Sequence, residues 1–292
     1  MRIERPPSPG ALGRIVRYGY VPCMLVGMNG LAMLAVARHT SWLLPPLLLC
    51  AVAASFVAER LLPYRADWNR SHGDAWRDTL HAIVNESLNG SSVLALPVIA
   101  GLLHLHDAWP HELPFWIQVV LAVLVFDAGI TLTHWQSHRV GWLWRFHAVH
   151  HSVTRLYGFN GLMKHPVHQA VEMVGGVAPL VMAGIPHEVG MALAFATAVQ
   201  LLLQHSNVAY QVGPFRGVLA LNEGHRFHHL KWAGVGDVNF GLFTLVWDRL
   251  LGTYAFAASR GFASDDLGLD RAPDYPVTYV AQLLAPFRRR ST

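Results

Sequence analysis

Charge is scarce in this chain: Asp, Glu, Lys and Arg make up 14% of 292 residues, against roughly 25% in soluble globular domains. With 53% hydrophobic residues and a mean hydropathy of +0.31, that scarcity excludes an ordinary soluble domain. Cysteine is almost missing too. Cys23 and Cys50 both lie in apolar runs, where a thiol behaves as a small hydrophobe, so neither a disulfide framework nor a thiolate metal site is expected. No H-E-x-x-H motif occurs, which removes the signature of a zinc hydrolase with its general-base Glu. There is no internal repeat and no low-complexity tract. The net charge of +4 does not imply a nucleic-acid partner, because the basic residues flank apolar runs instead of interleaving with aromatics.

What the chain has instead is apolar length. Runs over Tyr18–Val36, Trp42–Ala58, about Leu88–Leu103 and Phe115–Thr133 are each long enough, or nearly so, for a bilayer that needs about 20 residues. No small-x-small cleavage site follows the first run, so it is expected to stay as an anchor. A further pair, residues 170–183 and 188–203, turns at Gly184-Ile185-Pro186-His187; its first arm is short and contains Glu172, which suits a re-entrant or half-spanning hairpin. The expected fold is therefore all-α: a multi-pass membrane bundle of four spanning helices plus a re-entrant or short hairpin. Loop charge orients it. The N-terminus (Arg2, Arg5, Arg14, Arg17), residues 59–87 (Arg60, Arg65, Arg70, Arg77) and residues 134–165 (Arg139, Arg145, Arg155, Lys164) are placed in the cytoplasm, and residues 104–114, which lack Lys and Arg, outside. Tyr275–Phe287, ahead of Arg288-Arg289-Arg290, reads as an interfacial segment.

Histidine is abundant, and its spacing is not random. His134 and His138 are four apart; His147, His150 and His151 follow an i, i+3, i+4 pattern, and His225, His228 and His229 repeat it. Each group lies on one face of a helix, and by the topology above all three emerge on the cytoplasmic side, forming a helical cap. Eight imidazoles exceed what one ion can use, and two metals fit the count better. Imidazole suits zinc, copper, iron and nickel alike, but a dinuclear site at a membrane surface, beneath helices that hold an apolar chain, suits oxygen activation. His205, ending an apolar helix on the same side, is a ninth ligand candidate, with Asn207 as its neighbour. His165, before Pro166, reads as a further ligand or, as well, as a helix start or a residue behind the ligands. Asp127 lies two turns before His134, inside the membrane; it reads either as the carboxylate that accepts a hydrogen bond from a ligand imidazole or as plain packing polarity. His39, His72, His81, His104, His106, His111 and His187 lack ligand spacing.

These boxes, together with Leu143-Trp144-Arg145-Phe146-His147-Ala148-Val149-His150-His151-Ser152, with Asn239-Phe240-Gly241 and with Trp247-Asp248-Arg249-Leu250-Leu251-Gly252-Thr253, resemble the fatty acid hydroxylase and sterol desaturase superfamily of integral-membrane, histidine-rich di-iron oxidases. The resemblance covers about residues 120–255. It implies a membrane-bound, O2-dependent oxidoreductase of lipid metabolism that hydroxylates or desaturates a lipid C–H bond. It also implies two iron ions, with zinc as a possible substitute, bound by His134, His138, His147, His150, His151, His225, His228 and His229, with His205 added and Asn239 near the ligands. Many relatives carry Glu three residues after the His-Pro histidine; this chain has His168 there. No cytochrome b5-like segment is read in the chain, so electrons are expected from a separate ferredoxin or cytochrome b5-like protein, docked on Arg139, Arg145, Arg155, Lys164 and Lys231. The expected division is 1–114 for N-terminal membrane helices and loop, 115–256 for the di-iron domain and 257–292 for the interfacial tail. The rival reading, a non-enzymatic metal-binding or transport protein, calls for ligands near the bilayer midplane.

Overall fold

The computed structural model describes residues 10–103 and 108–288; Arg2, Arg5, His104, His106, Arg289 and Arg290 lie outside the described residues. Helix α1 (Ala11–Pro22) runs through a π-helical turn, Cys23–Met28, into α2 (Asn29–Ala37). Pro22 lacks the N–H that would close an ordinary turn, and the widened turn follows it. Helix α3 (Leu44–Leu61) places Pro45 and Pro46 in its first turn, where backbone donors have no partner in any case. Then come α4 (Ala75–Leu103), α5 (Phe115–Ser137), α6 (Gly141–His151), α7 (Pro166–Ala183), α8 (His187–His205), α9 (Asn222–His228), α10 (Val246–Leu251) and α11 (Tyr279–Leu284). No β-strand occurs among the described residues, only the isolated bridges Pro63–Val208 and Leu219–Thr244.

Four helices are long and apolar enough to cross a membrane: Ala11–Ala37, Ser41–Leu61, Ala75–Ile99 and Phe115–Ser137. Their outward residues, such as Val26, Leu49, Leu94, Trp116 and Val120, are exposed, the surface a lipid solvent favours. The hairpin α7–α8 packs among them, with α8 buried along nearly its whole length. Helix α5 meets α7 through glycine. A Cβ on Gly129 would stand 2.2 Å from the Gly175 carbonyl oxygen, and one on Gly176 2.7 Å from the Phe126 ring, so the backbones touch as small residues allow in membranes.

One boundary differs from expectation. Residues 75–87, read as part of a polar loop, are the first turns of α4. Their polar side chains are not solvated: His81 and Asn85 are buried and bind the carbonyls of Leu162 and Lys164. Polarity there serves a tertiary contact, which composition alone reads as solvent exposure. Beyond the bundle a smaller apolar cluster, including Trp68, Val149, Leu156, Met163 and Phe227, forms the floor under the histidine-bearing helices.

Candidate metal centre

Helix geometry sorts the histidines. Residues i and i+4 are about 40° apart around a helix and i+3 lies about 60° to the other side, so an H-x2-H-H box splits between two directions. Helix α6 sends His147 and His151 one way and His150 the other; α9 sends His225 and His229 one way and His228 the other. The outcome is two groups. His134, His138, His147, His151 and His228 bring one ring nitrogen each within 4.8 Å of one another, and so do His150, His205, His225 and His229. All nine candidates from the sequence meet in these two sets, and each three-histidine box contributes to both.

Four of the rings are committed by what lies behind them. His134 Nδ1 donates to the Phe240 carbonyl (2.8 Å), His228 Nδ1 to Val238 (2.9 Å), His150 Nδ1 to Met163 (2.8 Å) and His138 Nδ1 to the Asp237 carboxylate (2.8 Å). A neutral ring that donates from Nδ1 presents a bare lone pair at Nε2. Nε2 atoms face inward in the first set: His134 to His147 and His147 to His151 at 3.0 Å, His138 to His151 at 3.2 Å. In the second set His205 to His225 and His225 to His229 are 3.0 Å apart, and His150 to His205 3.2 Å. Nitrogens so close repel unless a proton or a metal cation lies between them, and a metal ion would serve several of them at once. A metal–imidazole bond of about 2.1 Å puts neighbouring ligands about 3.0–3.4 Å apart, so these spacings are those of nitrogens that could share one ion. Burial pushes His147, His151, His225, His228 and His229 well below the ordinary imidazole range. Burial and then the Lys164 ammonium push His150 down to about 3. The rings are neutral near pH 7, as metal ligation requires.

The residues expected behind the ligands take other places. Asp127 binds no imidazole: its carboxylate accepts the backbone N–H groups of Leu242 (3.0 Å), Phe243 (2.7 Å) and Thr244 (3.0 Å) and the Thr244 hydroxyl (2.7 Å). Seven residues of helix amount to about 10 Å of rise, too far for it to reach His134. It holds the loop whose Phe240 carbonyl does so. His165 caps α7, its Nδ1 accepting the Val167 N–H at 3.1 Å, and is the helix start. Asn207 bonds Arg65 and Asn69 while its N–H donates to Glu59. Asn239, at φ 54° in the left-handed region that Asn tolerates, donates to the Gly224 and Ala255 carbonyls. It thereby fixes the segment whose neighbouring carbonyls, Val238 and Phe240, orient His228 and His134.

Sequence reasoning missed Asp237, a side chain 99 residues from His138. It also missed Asp248, which accepts the Phe240 and Gly241 N–H groups at 2.7 and 2.8 Å; the Trp-Asp-Arg stretch was a signal for it. His168 and Glu172 join His147 in a third ligand-type group, announced only by the histidine after His165-Pro166-Val167. The expected basic dock also shrinks. Arg155 is buried against Asp74 (2.7 Å) and Lys164 against Glu172, because their hydrocarbon-rich surroundings require charge to be paired. Arg139 and Arg145 remain exposed.

A cleft of about 310 Å³ opens onto His138, His151 and His228. Trp144, Trp232 and Tyr275 help to wall it, and Arg145, Lys231 and Arg271 line it. Deeper, a chamber of about 10 Å³ touches both sets and is closed by Lys164 and Glu172. An apolar cavity of about 40 Å³ among Leu96, Phe126, Met173 and Leu193 includes no histidine.

Comparison with known proteins adds a second line of evidence. Residues 119–253 match the fatty acid hydroxylase family. The chain is 31% identical over 251 residues to ornithine lipid hydroxylase OlsE of Rhizobium tropici, covering 83% of this chain and 75% of that protein. It is 27% identical over 147 residues to the alkylglycerol monooxygenase of Danio rerio, covering 50% of this chain and 32% of that protein. With sphinganine C4-monooxygenase 2 of Arabidopsis thaliana the identity is 27% over 141 residues, covering 47% and 54%. No solved structure matches.

Proposed function

The chain belongs to the fatty acid hydroxylase family, and from that premise we propose that it is an O2-dependent di-iron lipid hydroxylase whose two histidine sets each hold one iron. It is an integral membrane oxidoreductase. The observation that carries the di-iron reading is the inward convergence of Nε2 atoms in two separate sets, one of five rings and one of four. Zinc is the natural substitute for iron on such ligands.

With both irons bound, the centre supplies the chemistry R–H + O2 + 2 e⁻ + 2 H⁺ → R–OH + H2O. The protein's part is placement and exclusion. His134, His138, His147, His151 and His228 would hold the first iron, and His150, His205, His225 and His229 the second. The carbonyls of Phe240, Val238 and Met163 and the carboxylate of Asp237 keep the rings aimed. Burial of nearly every ring keeps water from the centre, while the cleft admits substrate to the edge of the first set. The relatives' names point to lipids bearing polar groups, an ornithine lipid, an alkylglycerol and sphinganine, and the polar, aromatic cleft suits a lipid of that kind. Those names all denote hydroxylases or monooxygenases, which favours hydroxylation over desaturation. The ligands lie at or beyond the end of α5 and not at mid-span, an arrangement that disfavours a transport path.

Arg139, Arg145 and Lys231 form the dock for an acidic electron carrier of ferredoxin or cytochrome b5 type. The histidines and the N-terminus face the cytoplasm. Residues 115–256 form the di-iron unit, 1–114 its anchor, and 257–292 a tail that walls the cleft through Ala285 and Pro286. The test is direct. Protein purified from iron-replete cells is expected to carry two irons per chain and, with a reductase system and 18O2, to place labelled oxygen in a membrane lipid. Protein that holds no iron and leaves every lipid unlabelled would sink the reading.

A further inference from the structure

His147 is the one member of the first set that faces a carboxylate-bearing group without a direct hydrogen bond to it. Its Nε2 points at His134 and His151, yet its buried Nδ1 has no protein partner among the described residues. One turn apart on α7, His168 and Glu172 come within 4.8 Å of it, ligand atom to ligand atom. Ser137 donates its hydroxyl hydrogen to the Thr133 carbonyl (2.7 Å), so His168 Nε2, 2.9 Å from that hydroxyl oxygen, must be the donor there. The Nδ1 of His168 is then an acceptor, 3.7 Å from Glu172 Oε1. Two acceptors therefore lie beside the buried ring of His147, whose centroid is 4.4 Å from that of His168 and whose Nδ1 has no other protein partner among the described residues.

This grouping reads at first as a third metal site. Charge argues against that. Glu172 already holds the Lys164 ammonium through Oε2, and a second cation beside it would be repelled inside a low-dielectric pocket. The lysine is itself pinned: its carbonyl accepts from His81 (2.9 Å) and Asn85 (3.0 Å) on α4. Lys164 and Glu172 also face the chamber that both histidine sets share.

We infer that Glu172, neutralised and held in place by Lys164, is the positioning carboxylate of His147, with His168 completing the pocket against its ring. In this chain it fills the role that Asp127 is too distant to fill. Metal-bound histidines usually need such a partner to fix tautomer and ring angle. The inference rests on the di-iron reading, and its failure is separable from that reading's failure.

The test uses the full chain in detergent and reads iron, not turnover. Glu172→Gln and Lys164→Met singly leave a buried charge unpaired and are expected to melt earlier. The double variant Lys164→Met/Glu172→Met removes both charges with apolar side chains, a change that buried pairs commonly tolerate. It is expected to melt like wild type and keep one iron as firmly, while a chelator titration strips the other about 10–100-fold more easily. Should the Met pair not fold, Lys164→Leu/Glu172→Leu, which likewise removes the acceptor, carries the same readout. A folded double variant that holds both irons as wild type does would overturn the inference, leaving the pair a packing device. Wild-type protein without iron would instead refute the di-iron reading itself.

Discussion

Where the outer nitrogen of an imidazole is spent on a protein acceptor, as in His134, His138, His150 and His228, it decides what the inner one can do. His150 shows the consequence. Its Nδ1 is spent on the Met163 carbonyl, so only Nε2 remains, beside His205 at 3.2 Å. His150→Ala is expected to leave the chain membrane-inserted, to retain the first-set iron and to lose the second, measured as iron per chain falling from two to one with hydroxylation abolished. A variant that kept both irons and full activity would reject the assignment of His150. The spacing of the boxes was legible in the sequence because a ligand set on one helix must repeat near 3.6 residues. Which ring joins which set was not, because that depends on how α6 and α9 are turned toward each other. For the same reason Asp237 left no sequence signal: a carboxylate brought across 99 residues to His138 obeys no local period.

At the scale of elements, the decisive contact joins α5 to the 240–244 loop. Asp127 collects four donors from that loop, and the loop returns the Phe240 carbonyl to His134, two turns further along the same helix. Asp127→Ala would strand two buried backbone N–H groups, those of Leu242 and Phe243, each costing about 1–3 kcal/mol, and the half-buried one of Thr244. The expected outcome is a lower melting temperature together with weaker retention of the first-set iron in a chelator titration; unchanged values for both would show that the loop holds itself. The sequence offered Asp127 either as a partner for a ligand imidazole or as packing polarity; in the structure its carboxylate bonds the 242–244 loop and no imidazole. The helices themselves were legible from their apolar runs. The early start of α4 was not, because His81 and Asn85 spend their polarity on the carbonyls of residues 162–164.

At the scale of the whole molecule, four apolar helices, a hairpin whose second arm is buried and a histidine-lined cap form one assembly, and the cap's side of the membrane decides which electron carrier can reach it. The Arg and Lys bias of the loops favours the cytoplasm. Cys23 and Cys50 are replaced by Ser, and single cysteines are introduced at exposed Arg145 and at exposed Glu112. A membrane-impermeant thiol reagent applied to intact cells is expected to label the Cys at 112 and to spare the Cys at 145 until the membrane is opened. The reverse pattern would invert the topology and remove a cytoplasmic carrier from consideration. The cleft lies on the same assembly, with Arg145 at its lining, so this measurement also reports the side from which its polar mouth is reached.

Local periodicity determined what could be decided locally. Apolar length makes spanning helices, imidazoles spaced one turn apart make ligand faces, scarcity of charge points to a membrane protein, and the resemblance of the boxes to a known family adds the oxidase reading. Tertiary structure alone decided the rest: the division of nine histidines into five and four, the use of Asp127 as a loop anchor, the burial of Lys164 on Glu172, and the loss of Arg155 from the surface. The physical reason is common to all of them. A buried polar group must find a partner, and a sequence names the groups that need one without saying which distant segment will supply it.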